Sequence, residues 1–548
     1  MIFLTLFTIA LAIPAYWLTL RYNMHMFQLN VYKTGEQLEW IRRNFRLQWI
    51  LVFAMVFGFV SMLCTKAGSV FLDALCIVIG WIALAVIIIV YRLMKEMNSK
   101  KPLVCTPRVK RMIVTIVLLT FCMLSSPLSA VKYLNAGDNN LLIAPLNGFL
   151  LWLTGAQIFM NMLACFINSH IERCINDYYL NDAKRILAEN GDLTIIGVTG
   201  SYGKTSVKFY LETLLRAKYS VLVTPESYNT PMGIVKTIRG SLRRSHEVFV
   251  CEMGARYVGE IKEICDFVKP RHGIITSIGP QHLDTFENIE NIKFTKFELA
   301  DALPEDGQLF LNGDNEYIAE YMEYMRETGA ELPPAYDMPI IYHADVADRG
   351  YYASDIKLSS RGTEFKANAP DGSSCTYNMK LVGAHNIINV MGAIAVAHEM
   401  GIDLEELRIP IRRLQPAAHR MEMKEQGGLT IIDDAYNSNP IGSKAAVETL
   451  AMFEGMRILI TPGMVELGTD EDDYNRKLGV YAASCCDFAL LVGHKRTEPI
   501  REGLLSEGFP EKKCLVFDRV EEAIEYAYSI RTDKHKYILL ENDLPDNY

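Results

Sequence analysis

The run Thr199-Gly200-Ser201-Tyr202-Gly203-Lys204-Thr205-Ser206 brings together groups that can hold a polyphosphate. Gly200 and Gly203 let the backbone curl so that its N–H groups face an anion. Lys204 supplies a point charge for β- and γ-phosphates, and the Thr205 hydroxyl is a ligand suited to Mg²⁺. The flanks agree with this reading. Leu193–Val198 is a short apolar, β-branched run, and Val207–Ala217 has a helical pattern. Strand, glycine-rich turn, Lys-Thr and helix form the arrangement of a phosphate-binding loop, with the helix presenting its positive end to the anion. The general spacing asks for a glycine at Val198, and the nearest one is Gly197.

Other residues that carry chemistry follow in order. Glu252 closes the strand pattern at Val248–Val250, and His282 follows the one at Ile274–Ile278. Lys296 lies in Lys-Phe-Glu, and Asn312, His385, Asn386, Arg420 and Asp434 come later. Each alone has a plainer reading. His282 would be a core histidine, Lys296 a surface lysine and Arg420 half of an ion pair. Asp434, Tyr436, Asn437 and Asn439 are turn formers in any case.

In sequence order these segments resemble the Mur ligase family. The resemblance rests on Thr-Gly-x-x-Gly-Lys-Thr, Asn229-Thr230-Pro231-Met232-Gly233, Glu252-Met253-Gly254-Ala255 and Gln281-His282-Leu283-Asp284. It continues through Asn312-Gly313-Asp314-Asn315, Gly383-Ala384-His385-Asn386, Arg420-Met421-Glu422, Asp433–Pro440 and Pro462–Gly468. Within the family, the member whose amine is D-alanyl-D-alanine is nearest in these motifs.

The resemblance implies an ATP-dependent ligase that joins a carboxylate to an amine in cell-wall precursor synthesis. It implies ATP bound by residues 199–206, with Asn312, His385 and Asn386 near base and ribose and Asp434 in the cleft between domains. It implies two magnesium ions, one at Thr205 and one held by Glu252 and His282. It also implies a carbamylated lysine at Lys296 positioning metal, and Arg420 reaching the γ-phosphate. Lys204, Lys296, His282 and Arg420 are thus the expected catalytic set. The partners implied are a UDP- or lipid-linked precursor and an amino acid or dipeptide. Leu539–Pro545 stands where the family carries a Gly-Ser-Arg-type segment.

The elements that must position these groups divide the 548 residues unevenly. Five apolar stretches, about Ile2–Leu20, Leu47–Cys64, Val70–Val90, Met112–Leu134 and Leu141–Ile167, are long enough to span a bilayer. They stand in place of the family's UDP-binding domain. Arg21, Lys33, Arg42, Arg43 and Arg46 follow the first stretch, and Arg92, Lys95, Lys100, Lys101, Arg108, Lys110 and Arg111 follow the third. The positive-inside rule then places the N-terminus outside and the remainder in the cytoplasm. Asn147, Gln157 and Asn161 are the main polar groups of the last stretch, and helix–helix hydrogen bonding accounts for them.

The expected organisation is a membrane domain of about five helices over 1–170 and an amphipathic connector over 171–192. An α/β ATP-binding central domain over 193–416 and a Rossmann-like domain over 417–548 complete it. A net charge of −9 and the lack of a basic, aromatic-interleaved run speak against nucleic acid. Twelve scattered cysteines without a CxxC pair read as reduced thiols. Two other readings stand beside the first. One is a ligase of the same type acting on another peptide, polymer or lipid-linked acceptor. The other is a membrane transporter or signalling protein that uses the loop as a nucleotide switch.

Overall fold

The computed structural model describes residues 2–64, 70–96, 102–134, 143–226, 228–327, 333–347, 350–436 and 439–543. Two compact units divide within one long helix, after Asp177.

The first unit contains α1 (Ile2–Leu29), α2 (Thr34–Arg43), α3 (Phe45–Cys64), α4 (Val70–Glu96), α5 (Pro107–Leu134), α6 (Ile143–Gly155) and the start of α7 (Gln157–Ala188). Among the described residues two helices are long and apolar enough to cross a membrane, Phe3–Leu29 and Phe71–Leu93. The number rises to 4 if each of two bent pairs counts as one span. Two to four of the five expected spans are therefore seen among the described residues. The stretch read as one span over 141–167 breaks at Ala156, where α6 and α7 meet at 63°. The expected stretch at 112–134 falls on α5, whose side chains from 125 onward lie outside the described residues.

The helices of this unit meet through small residues. A Cβ on Gly58 would strike the backbone of Gly148, and one on Gly155 would strike the backbone of Leu51. Such close approach is how apolar helices gain packing contact without a hydrophobic gradient. Asn147 donates across to the Ile77 carbonyl at 3.0 Å, the helix–helix role expected of it. Arg111 forms a two-pronged pair with Glu172 at 2.7 and 2.9 Å. No break separates a connector from the last apolar stretch, because α7 is continuous to Ala188. Past Tyr178, its Tyr179, Leu180, Ala183, Ile186 and Leu187 pack into the core of the second unit.

The second unit holds two sheets. The first has nine strands: β1 (Thr194–Thr199), β2 (Val221–Val223), β3 (Val248–Glu252), β4 (His272–Ile275), β5 (Gln308–Asn312), β6 (Ile340–His343), β7 (Tyr351–Ser359), β8 (Gly362–Asn368) and β9 (Ser374–Met379). Their order is β2-β3-β1-β4-β5-β6-β7-β8-β9. Pairing is parallel from β2 to β7 and antiparallel from β7 to β9. The central strands are apolar on both faces because helices cover both. Ile196 and Val198 face one core with α8 (Lys204–Leu215), and Ile195 faces the other. The chain reverses its strand order beside β1. The crevice at the carboxyl ends of β3, β1 and β4 is therefore where such a sheet binds ligands.

The second sheet has six strands: β10 (Glu422–Gln426), β11 (Leu429–Asp434), β12 (Met456–Thr461), β13 (Phe488–Val492), β14 (Cys514–Phe517) and β15 (Lys536–Glu541). Their order is β10-β11-β15-β12-β13-β14. The runs Leu429–Ile432, Ile458–Thr461, Phe488–Val492, Cys514–Phe517 and Lys536–Leu540 mark five of these in the sequence. The sixth, β10, pairs antiparallel with β11 across Gly427-Gly428, both at positive φ. It escapes an apolar pattern because it is an edge strand whose residues are mostly exposed.

Gly197 proves to be a packing glycine. A Cβ there would stand 2.6 Å from Leu299 Cδ1 and 3.1 Å from Met253 Cε. It lets the buried Leu299 seat against β1. Gly197→Ala should lower stability by about 1–3 kcal/mol through overpacking, read as a drop in melting temperature. Gly197→Ala with Leu299→Ala should lose less than the two single losses together, because the second change removes the obstruction. Additive losses would show that the two residues are not in contact.

Candidate active site

Parallel pairing brings the ends of β3, β1 and β4 side by side, with Val198 opposite Glu252 and Thr199 opposite Ile275. The loop after β1 is pinned to the one after β4. Ser201 N–H donates to the Ser277 carbonyl at 2.6 Å and Ser201 Oγ to the Gly279 carbonyl at 3.0 Å. Tyr202 N–H donates to Ser277 Oγ at 3.1 Å, and its hydroxyl to the Pro280 carbonyl at 2.8 Å. Thr199 is fully buried, its hydroxyl donating to the Met253 carbonyl at 3.1 Å. These three residues fix the loop's shape.

Gly200 and Gly203 lie at φ 146° and 78°, where a side chain is strained. A Cβ on Gly203 would also stand 2.5 Å from Asn389 Oδ1. Gly203 caps α8, whose first N–H groups have no acceptor within the helix. Lys204 curls over the loop, donating to the carbonyls of Gly200 at 2.6 Å and Ser201 at 3.0 Å. Ser206 lies beside the Tyr210 hydroxyl.

Thr205 Oγ1 lies 3.1 and 3.2 Å from the two oxygens of Glu252. That carboxylate is 1 % exposed, and Asn229 Nδ2 donates to Oε1 at 3.1 Å. A hydroxyl and a carboxylate on one point make a hard-oxygen set suited to Mg²⁺. His282 sits at φ 53° with its Nδ1 bonded to Glu466 Oε2, from the loop after β12. Glu466 also pairs with Arg256 at 3.2 Å. With Nδ1–H committed to a carboxylate, Nε2 is the atom left with a lone pair for a metal. Burial lowers the His282 pKa, and Glu466 opposes that shift.

The cations of the site act on one another. Burial, opposed by Glu252 and aided by Arg420, brings Lys204 down to about 8. Burial first and the Lys204 ammonium second bring Lys296 down to about 7. Lys296 is 3 % exposed and stands 5.6 Å from the Phe286 ring, so it is no surface lysine. Burial also lowers Arg420, against Asp434, Glu252 and Tyr436, and its guanidinium lies 5.2 Å from the Tyr436 ring. Asp434 is raised to about 7 by burial, with Arg420 opposing and Glu541 adding. Lys204 thus lies within electrostatic reach of Glu252, Arg420, Lys296 and His282.

Three expected contact residues lie in different settings. Asn312 donates to the Thr276 carbonyl at 2.8 Å and accepts from Asp314 N–H at 3.0 Å, so it shapes the end of β5. Asn386 accepts from the Tyr210 hydroxyl and donates to the Val382 carbonyl, both at 2.8 Å, committing both ends of its amide. His385 Nδ1 is buried with no partner among the described residues, and burial holds the ring near a pKa of about 4. A neutral ring nitrogen of that kind fits a hydrogen-bonding ligand group. Asn437 lies outside the described residues. Asn439 caps the helix Pro440–Ala451, bonding Gly442 N–H at 2.7 Å.

Sequence reasoning passed over Lys208, which is fully buried and lies 2.9 Å from Glu252 Oε2. Its signal was present: it follows Lys204 by one turn on the face that buries Val207, Tyr210 and Leu211. Glu466 and Asn229 were read only as parts of motifs. Their contacts join elements far apart in the chain.

Residues 198–397 match the Mur ligase middle domain and residues 419–541 the Mur ligase glutamate ligase domain. Together these matches span more than half of the chain. The UDP-N-acetylmuramoyl-tripeptide–D-alanyl-D-alanine ligase of Bacillus subtilis is 31% identical over 300 residues, covering 54% of this chain and 62% of its own. The protein of that name from Escherichia coli is 27% identical over 324 residues, covering 59% of this chain and 69% of its own. The chain thus matches 62% and 69% of the length of these two curated relatives. The crystal structure of MurF from Acinetobacter baumannii superposes with a TM-score of 0.60 at 24% identity, covering 67% of this chain and 77% of that one. MurF from Thermotoga maritima in complex with ADP gives 0.57 at 23% identity, covering 67% and 80%. With the loop, strand order and both matched domains in place, the chain belongs to the Mur ligase family.

Proposed function

We propose that this chain is an ATP-dependent, ADP-forming carboxylate–amine ligase that works on a peptidoglycan precursor at a membrane. One observation carries the reading. Lys204, Lys296 and Arg420 are gathered in a buried site, each made less basic by burial, and Lys204 and Lys296 also by a neighbouring cation. Glu252 opposes the shift at Lys204, Asp434 and Glu252 that at Arg420, and Glu298 and Glu260 that at Lys296, yet burial prevails at all three. Such a site is short of negative charge, and a nucleotide triphosphate supplies it.

A carboxylate does not react with an amine in neutral water, because its oxygen is a poor leaving group. Transfer of the γ-phosphoryl group makes that oxygen leave as phosphate when the amine attacks. Positioning and charge stabilisation do most of the work. Lys204 would leave its loop carbonyls to neutralise the β- and γ-phosphates. Thr205 and Glu252 would hold one Mg²⁺. Glu252, His282 and a carbamate on Lys296 would hold a second. These ions would draw charge off the transferring oxygens. Arg420 would reach the γ-phosphate from the second domain. The half-neutral state of Lys296 near pH 7 supports carbamylation, since only the free amine reacts with CO₂.

The names of the relatives support D-alanyl-D-alanine as the amine and a muramoyl tripeptide as the acceptor. The apolar helices of the first unit support placement in the cell membrane. Loop charge there favours an outside N-terminus and cytoplasmic domains. They equally favour a lipid-linked acceptor over a UDP-linked one as the second reading. A nucleotide-switched transporter gains nothing from a buried Lys296 beside Lys204.

Phosphate release from ATP should require acceptor and amine together. Lys204→Ala should reduce it by about 10²–10³-fold, the scale of losing one preorganised charge at the transferring group. Release that ignores the amine would end the ligase reading.

Lys296→Met should abolish activity yet raise the melting temperature. In CO₂-free buffer, where no carbamate forms, burial brings the native amine down to about 7 against 10.5 when unfolded. The unfolded chain therefore holds more protons between these values, and the penalty of burying Lys296 fades as pH rises through them. The gain from Met should be full at pH 7 and below and shrink toward pH 10. A melting-temperature series over that range checks it, and a gain independent of pH would contradict it.

A further inference from the structure

We propose that Lys208 is a positioning residue for the divalent cation, setting the Glu252 carboxylate so that its remaining lone pairs face Thr205. This rests on the ligase reading only in taking Glu252 and Thr205 as metal ligands.

Lys208 is completely buried, with its ammonium 2.9 Å from Glu252 Oε2 and 2.5 Å from the Glu226 carbonyl. It therefore ties α8, the loop after β2 and the end of β3 at one point. An ammonium has three donors and no lone pair, so it directs a carboxylate but never ligates a metal. Glu252 has about four acceptor positions, two on each oxygen. Lys208 occupies one on Oε2, and Asn229 occupies one on Oε1 at 3.1 Å. One position remains on each oxygen, and the Thr205 hydroxyl donates to both, at 3.1 and 3.2 Å. The hydroxyl and these two lone pairs thus already converge, so a cation that displaces that shared proton meets three oxygens at once, as strict oxygen geometry requires.

The helix supplies the leverage. Thr205 and Lys208 are three residues apart on α8 and share a face. One rigid element therefore carries both the metal's hydroxyl ligand and the clamp on its carboxylate ligand. The Glu252 backbone is held too, its N–H donating to Thr224 Oγ1 at 3.1 Å. Without the clamp, the carboxylate would be buried beside a single amide and a hydroxyl, with its cation partner gone.

The test is direct Mn²⁺ binding to the full-length chain in nanodiscs with ADP, read as loss of the free-ion EPR signal, beside a melting curve. Lys208→Met should bind Mn²⁺ about tenfold more weakly, the lower end of what losing a ligand's supporting partner costs. Its affinity for ADP without metal should be unchanged. Adding Glu252→Gln should restore the melting temperature but not the Mn²⁺ affinity. If Lys208→Met does not fold, Lys208→Gln takes its place, keeping a donor without the charge, with the same direction expected. A folded variant with unchanged Mn²⁺ affinity would leave Lys208 a structural partner only. Tighter binding would make it a competitor for the cation. Either result overturns the proposal. A wild-type chain that binds no Mn²⁺ with ADP would instead remove the metal-site reading beneath it.

Discussion

Burial of positive charge is the constraint on which the site depends. Water would normally solvate Lys204, Lys296 and Arg420, and the fold denies it to them. Each is less basic than in solution, and Lys204 and Lys296 also feel a neighbouring cation. Desolvated like charges cost stability unless an anion joins them. Lys208 escapes the shortage because Glu252 pairs with it directly. The arrangement is poor for a resting protein and good for one that must bind a polyanion tightly and withdraw charge from it in the transition state. Stability given up at a site in this way is a common companion of activity.

The parts of this site that were legible in the sequence are those whose chemistry and neighbours lie together. Residues 199–206 combine glycines, a lysine and a hydroxyl within eight positions, with strand before and helix after. Glu252 was legible because it ends an apolar strand in a parallel sheet and His282 because it lies in the loop after one, and strand ends carry ligands. Lys208 was not legible, because a lysine one turn into a helix looks like a solvated residue until the end of β3 is seen against it. Asn312 and Asn386 are expected contact residues, and in the structure their amides serve β5 and Tyr210. Asparagine meets backbone and ligand needs with the same two groups, so residue type alone cannot separate the roles.

The first, apolar unit shows a different limit. Hydropathy reports the length of an apolar run and says little about its straightness. The run over 141–167 is apolar throughout, yet it turns by 63° at Ala156. The amphipathic connector expected over 171–192 falls on α7, which runs on from the last apolar stretch to Ala188 because nothing there breaks a helix.

The second domain answers the charge distribution of the first at two points of opposite sign. Arg420 comes within reach of Lys204 and Glu252, and Glu466 takes Nδ1 of His282 and one nitrogen of Arg256. Both hold strained backbone nearby: His419 and Met421 flank Arg420 at φ 58° and 53°, and Glu466 itself lies at φ 62°. Left-handed conformations cost roughly 1–2 kcal/mol per ordinary residue, so these are geometries the surrounding packing imposes. Their common consequence is that two side chains of one domain are aimed into the other. A guanidinium is thereby brought within reach of Lys204 and Glu252, and a carboxylate fixes Nδ1 of His282. The charges of the site are therefore assembled from both domains, and neither domain alone holds the full set.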